Sequence, residues 1–167
     1  EQIESDLDRY LDIFKRFQAE QKLDEIQKRL QQLFEQQNAI SNQIEKLSPN
    51  TDPSTSQRYA EEQQRNSNEF ENILSLIDEA SSLVKPFSKT SSEQLSFLSK
   101  SDLSLETESF LDQTEENLKK MDLQNAQNMS TYSATNLDNM MQEMRNIQQS
   151  FQKETVAEMA QKFEKLM

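Results

Sequence analysis

The chain has 167 residues and a formal net charge of -12, only 33% of its residues are hydrophobic, and it contains no glycine, histidine or cysteine. Without cysteine no disulfide framework is possible, and without histidine the usual general base and the commonest metal ligand near neutral pH are missing. The negative charge opposes binding to nucleic acid, which is itself anionic. We therefore predict a non-enzymatic protein with no catalytic residues, no cofactor, no bound metal and no nucleic-acid partner.

The absence of glycine also bears on the fold. Hairpin turns and phosphate-binding loops use residues that accept positive φ, above all glycine. Apolar residues instead recur every three or four positions, which is the spacing of one face of an α-helix. We predict an all-α, elongated antiparallel bundle or coiled coil of about four helices, forming a single domain over residues 1–167.

The first helix is predicted over residues 1–47 and carries two apolar rows that are out of phase. The first row runs to Phe17 and the second starts at Leu23, six residues later, with no helix breaker between them. Either the helix changes its packing partner near Phe17, or the step is an ordinary irregularity of a bundle; the second interpretation is favoured. The first row comprises Ile3, Leu7, Tyr10, Phe14 and Phe17.

The second helix is predicted over residues 56–85, after a loop in which Asp52, Ser54 or Ser56 can cap it. The first half of this helix is polar on every side, with Gln63 and Asn66 at core positions, as Gln37 is in the first helix. This half either lies beyond the end of the bundle, or against a thin part of it, or forms a buried polar layer that fixes register or receives a partner. A position beyond the end of the bundle or against a thin part of it is favoured over the buried polar layer.

The third helix is predicted over residues 91–121, with Thr90 or Ser91 opening a capping box and a kink or short break near 101–104, where Asp102 is predicted as a new cap. The fourth is predicted over residues 122–167, capped by Asp122. Its apolar row shifts by one residue after Phe151. The shifted row comprises Val156, Met159, Phe163 and Leu166, and Met141 lies beside the main row as the better candidate for an exposed contact.

Two segments resemble glutamine-rich helical regions of large bacterial envelope proteins of unknown function. They are QKLDEIQKRLQQLFEQQNAISNQIEKL, residues 21–47, and FLDQTEENLKKMDLQNAQNMSTYSATNLDNMMQEM, residues 110–144. The resemblance implies a soluble helical segment of a membrane-anchored protein in the bacterial cell envelope, and it assigns no functional residues. Because Glu1 is already in helical register and no initiator methionine precedes it, we expect a fragment of a longer polypeptide; a processed N-terminus is the alternative.

The predicted lengths suggest a function in binding. A mismatch of about 15 residues between long and short helices leaves about 20 Å of striped helix uncovered. We expect a structural or protein-interaction module that self-associates or binds a protein partner through its helix ends. The alternative is a secreted, membrane-active helical protein, although no apolar run here is long enough to span a bilayer. The candidate contact residues are Ile3, Leu7, Tyr10, Met141, Val156, Met159 and Phe163.

Overall fold

The computed structural model describes residues 2–165 and 167. Over these residues the chain is all-α, without a strand, as the glycine-free periodic sequence predicts. Its five helices are α1 Gln2–Glu45, α2 Pro53–Val84, α3 Lys89–Ser99, α4 Asp102–Lys119 and α5 Leu123–Glu164.

The helices form an antiparallel four-sided bundle, because α3 and α4 follow one another and together make one side. Helix α1 packs against α2 and α5, whereas α2 and α5 each also pack against α3 and α4. Helices α1 and α2 run in opposite directions, as two ion pairs between them show: Lys22 pairs with Glu79 at 3.7 Å and Arg29 with Glu69 at 3.5 Å. The predicted elongated bundle is confirmed.

The helix starts lie close to the predicted ones but use partly different caps. Helix α2 begins at Pro53, because Asp52 accepts a hydrogen bond from the Ser54 amide at 3.0 Å and proline suits the first helical position. The cap of α3 is Ser88, whose hydroxyl accepts from the Ser91 amide, rather than Thr90 or Ser91. The expected break after α3 is present, and its cap is Ser101 rather than Asp102.

The turn between α4 and α5 holds the one described residue with positive φ, Met121 at 59°. The Asp122 amide donates to the Asn117 carbonyl at 2.9 Å and the Met121 amide donates to the Leu118 carbonyl at 3.2 Å. This pair of bonds is a Schellman motif, which normally places glycine at the left-handed position. Asp122 then caps α5 by accepting from the Asn125 amide, as predicted.

The buried core consists of two apolar clusters with a polar layer between them. The larger cluster includes Leu23, Phe70 and Leu137, and the smaller includes Ile44 and Leu118. In such a bundle each helix contributes one stripe to a shared interior. The two clusters together give the chain one continuous body, which begins at Ala19 of α1.

The polar layer joins α1, α2 and α5 through the side chain of Gln37. Its amide nitrogen donates to Gln63 Oε1 at 2.9 Å and to Ser130 Oγ at 3.0 Å, and its oxygen accepts from Asn66 Nδ2 at 2.9 Å. All four residues are buried. The favoured expectation that the polar half of α2 lies outside or against a thin part of the bundle is therefore wrong, because α1 and α5 supply the partners that allow it to be buried.

Candidate interaction surface

The ends of α1 and α5 project together beyond one end of the body. Helix α1 has 44 residues and α5 has 42, whereas α2 has 32. At about 1.5 Å per residue, α1 is roughly 18 Å longer than α2. The excess lies at the end where α2 turns into α3. There residues 2–18 of α1 run beside residues 152–165 of α5, and Arg16 also contacts the α2–α3 connection. We call this pair of helix ends the overhang.

Arg16 lies where the overhang meets the body. Its guanidinium donates to Glu158 Oε2 at 2.7 Å and lies 5.0 Å from the centre of the Phe87 ring, in the α2–α3 connection. Its Nε lies 3.4 Å from Asp12 Oδ2, close enough for an ion pair but not in hydrogen-bond geometry. On the side of α1 that faces the core within the body, the side chains from Arg16 towards the N-terminus are therefore polar.

The apolar row of α1 turns to the opposite side of the helix at the same place. At about 100° per residue, the row from Ile3 to Phe17 is centred roughly 160° from the row that begins at Ala19. The helix itself is continuous across the step. The six-residue step thus marks the point where α1 leaves the body, and the favoured interpretation as an ordinary irregularity is wrong.

The end of α5 shows a related shift. Val156, Met159 and Phe163 lie about 100° around the helix from the row that ends at Phe151. Met159 and Phe163 face Ile13 of α1 across a groove of about 520 Å³. The remaining lining residues are Arg9, Asp12, Arg16, Lys162 and Lys165. Four of these five carry positive charge, so the groove is an apolar cleft with a basic rim on an acidic protein.

The overhang exposes ten large apolar side chains, each between 46% and 76% accessible. They are Ile3, Leu7, Tyr10, Leu11, Ile13, Phe14, Phe17, Val156, Met159 and Phe163. Taking about 100 Å² for each half-exposed large side chain, they present on the order of 1,000 Å². This exceeds the largest apolar patch of a typical monomer, about 300–600 Å². We call these ten side chains the overhang surface.

The structure places the predicted contact residues in two different environments. Ile3, Leu7, Tyr10, Val156, Met159 and Phe163 all lie on the overhang surface, while Leu166 lies outside the described residues. Met141 is only 4% exposed, which makes its assignment as an exposed contact wrong. Helix α5 packs between α1 and the α3–α4 side, so its buried sector is wider than one row and includes this neighbouring position.

Four residues of the overhang surface are not among the predicted contact residues. Phe14 and Phe17 belong to the same row as Ile3, so the row itself could have identified them. Leu11 and Ile13 flank this row, and Ile13 joins it to the groove. Without knowledge of where α5 ends, the sequence gives no reason to include them.

The described residues offer no group of histidine, cysteine or carboxylate side chains able to hold a metal ion. The groups with shifted pKa values are exposed and lie away from the overhang. Hydrogen bonds from Ser54 lower the pKa of Asp52, a hydrogen bond from Lys120 lowers that of Glu116, and a hydrogen bond to Asp24 raises that of Lys28. These shifts belong to a helix cap and to ion pairs on helix surfaces.

None of the described helices combines the length and apolarity that a membrane crossing requires. No family model matches the chain, and no similar protein was found among the curated proteins or the solved structures.

Proposed function

We propose that this chain is a non-catalytic helical module that binds a protein partner through the overhang surface. The observation that supports this proposal is that the apolar row of α1 turns to the side of the helix opposite the core. Had the row stayed in phase with Ala19 and Leu23, its side chains would point towards the bundle axis. Turned by roughly 160°, they contribute nothing to the body and remain on the outside, where they favour association.

The charge distribution supports a partner that is not strongly charged. Residues 2–18 and 152–165 contain six basic and seven acidic side chains, whereas the whole chain carries 18 and 30. The overhang is thus close to neutral while the body bears nearly all of the net charge of -12. Acidic bodies repel one another in solution, and the neutral overhang remains the place where another protein can approach.

We further propose that the module is a segment of a larger bacterial envelope protein. The support is the resemblance of residues 21–47 and 110–144 to glutamine-rich regions of such proteins. In such a protein the elongated body would act as a spacer, and the overhang would hold its partner at a fixed distance from the other end of the body.

Site-specific photo-cross-linking in the producing cell tests the binding function. A photoreactive phenylalanine analogue replaces Tyr10, which lies in the exposed row, and in a control chain it replaces Asp8, which is exposed on the other side of the same helix. We expect a discrete protein adduct from position 10 that disappears when Leu7→Glu is added, and none from position 8. No adduct from position 10, or equal adducts from both, would contradict the proposal. A lipid adduct from position 10 would favour the membrane-active alternative instead.

A further inference from the structure

The overhang presents two helices with uncovered apolar faces, and antiparallel helices commonly close their interior as a group of four. The α1 row and the α5 row are joined through Ile13, which flanks the first and lines the groove with Met159 and Phe163. One additional helix would cover the row or the groove. Two additional helices, arranged as a pair like the overhang itself, can cover both.

Charge along the end of α1 is divided into two halves. Residues 2–8 contain Glu4, Asp6 and Asp8 and no basic side chain, whereas residues 9–17 contain Arg9, Lys15 and Arg16 with a single acidic residue. Two copies of this segment laid antiparallel bring the acidic half of each alongside the basic half of the other. These charges lie around the outside of the pair, since Asp8 is on the other side of α1 from the row and Arg16 is paired with Glu158 of its own chain. Parallel copies would place like charges together, which is unfavourable.

We infer that the occupant of the overhang surface is the overhang of a second copy of this chain, docked antiparallel about a two-fold axis; this rests on the proposed binding function. The row alternates steps of four and three residues, so antiparallel packing sets Ile3 opposite Phe14 of the second copy, and Leu7 opposite Tyr10 of the second copy. The two-fold axis then passes between Asp8 and Arg9. Each surface contacts its own counterpart, as an isologous interface requires.

Interface size and repulsion between the bodies both agree with this arrangement. A standard interface buries about 800 Å² per partner, which the roughly 1,000 Å² of the overhang surface can supply. The bodies lie at opposite ends of the dimer. At about 1.5 Å per residue their first core residues, Ala19 in each copy, are about 30 Å apart. This separation is several times the Debye length of about 8 Å at physiological ionic strength, so the acidic bodies repel each other little.

Sedimentation equilibrium of the full chain tests the inference. We expect the mass to rise from 19.6 kDa to twice that value over the micromolar range. Leu7→Glu should weaken dimerisation at least tenfold. Ser5→Glu is the matched control, since it adds the same charge two residues away on the opposite, exposed side of α1 and should leave the dissociation constant within about twofold. A monomeric wild-type chain at all concentrations, or equal effects of the two substitutions, would overturn the inference.

Orientation is tested with a spin label, which is specific because the chain has no cysteine of its own. A label on Gln21→Cys, at an exposed position just inside the body, should report a distance of about 40 Å between copies in the antiparallel dimer, given about 1.5 Å of rise per residue. A distance below about 20 Å would show parallel docking and overturn the inference. If the chain stays monomeric but position 10 cross-links to another protein in cells, the binding function stands and only self-docking fails.

Discussion

Replacing Gln37 by leucine tests whether the buried polar layer holds the bundle together. The side chain of Gln37 is fully buried and makes three hydrogen bonds, to Gln63, Asn66 and Ser130. Gln37→Leu leaves one buried polar atom without a partner on each of these residues, at about 1–3 kcal/mol each. Burying the leucine returns about 1.5–3 kcal/mol. We expect a net loss of about 1.5–6 kcal/mol from a total unfolding free energy of about 5–15 kcal/mol.

Urea denaturation followed by circular dichroism at the helix band measures this loss. Gln36→Leu is the control, because Gln36 is exposed and one position along the same helix, and we expect a change of at most about 0.5 kcal/mol. The variant with leucine at Gln37, Gln63 and Asn66 removes most of the unpaired atoms together. It should recover most of the lost stability, since Gln63 Nε2 already lacks a partner in the native layer. A Gln37→Leu chain as stable as the wild type would refute the reasoning.

Two further predictions follow from burial and capping. Leu137→Asp should unfold or severely loosen the chain, because it places an unpaired carboxylate at a fully buried position. The control, Asp138→Ala, should change the melting temperature little. Equal melting temperatures for the two variants would show that the buried face of α5 is misassigned. Asp52→Ala should lower the melting temperature at neutral pH, because the ionised carboxylate caps α2. Hydrogen bonds from Ser54 lower the pKa of Asp52, so its contribution is complete above the ordinary aspartate pKa of about 3.9 and is lost as the pH falls through the lower folded value. The difference between wild type and variant should therefore shrink in strong acid, and a constant difference down to pH 2 would contradict the assignment.

The sequence predicts the helical fold well because the patterns that indicate a helix lie within short stretches of the chain. Spacing of three and four residues, together with the absence of glycine, is enough to identify helices and their main rows, and Asp122 marks a boundary that depends only on its own neighbours. The overhang was predictable for a similar reason, since it follows from a difference in helix length. Six of the seven candidate contact residues are exposed there as a consequence.

The features that the sequence could not settle depend on distant parts of the chain. Met141 is buried because α5 has a neighbour on each side, and a single helical row does not show how many neighbours there are. Gln63 and Asn66 stand at core positions of the α2 pattern, but their burial depends on hydrogen bonds to Gln37 of another helix, which the α2 sequence does not show. Ser88, Thr90 and Ser91 are equally good caps by composition. The structure uses Ser88, in the connection where Arg16 of α1 lies over the Phe87 ring.

The order of the helices around the bundle has a consequence for folding during synthesis. Helices α1 and α2 are adjacent in both sequence and space, but α5, the other neighbour of α1, is separated from it by 77 residues, 46–122. Chains grow at about 5–20 residues per second, so roughly 120 residues from the end of α1 to the end of α5 take about 5–25 seconds.

During that interval α1 has its α2 contacts but not its α5 contacts. The side of α1 that α5 will cover is unpaired, and Gln37 lacks its Ser130 partner although its bonds to α2 are available. Partly synthesised bundles aggregate when they expose apolar surface at high local concentration, as on neighbouring ribosomes. The acidic charge of the body favours separation of the nascent chains during those seconds, and α1 is covered on its second side only once α5 has been made.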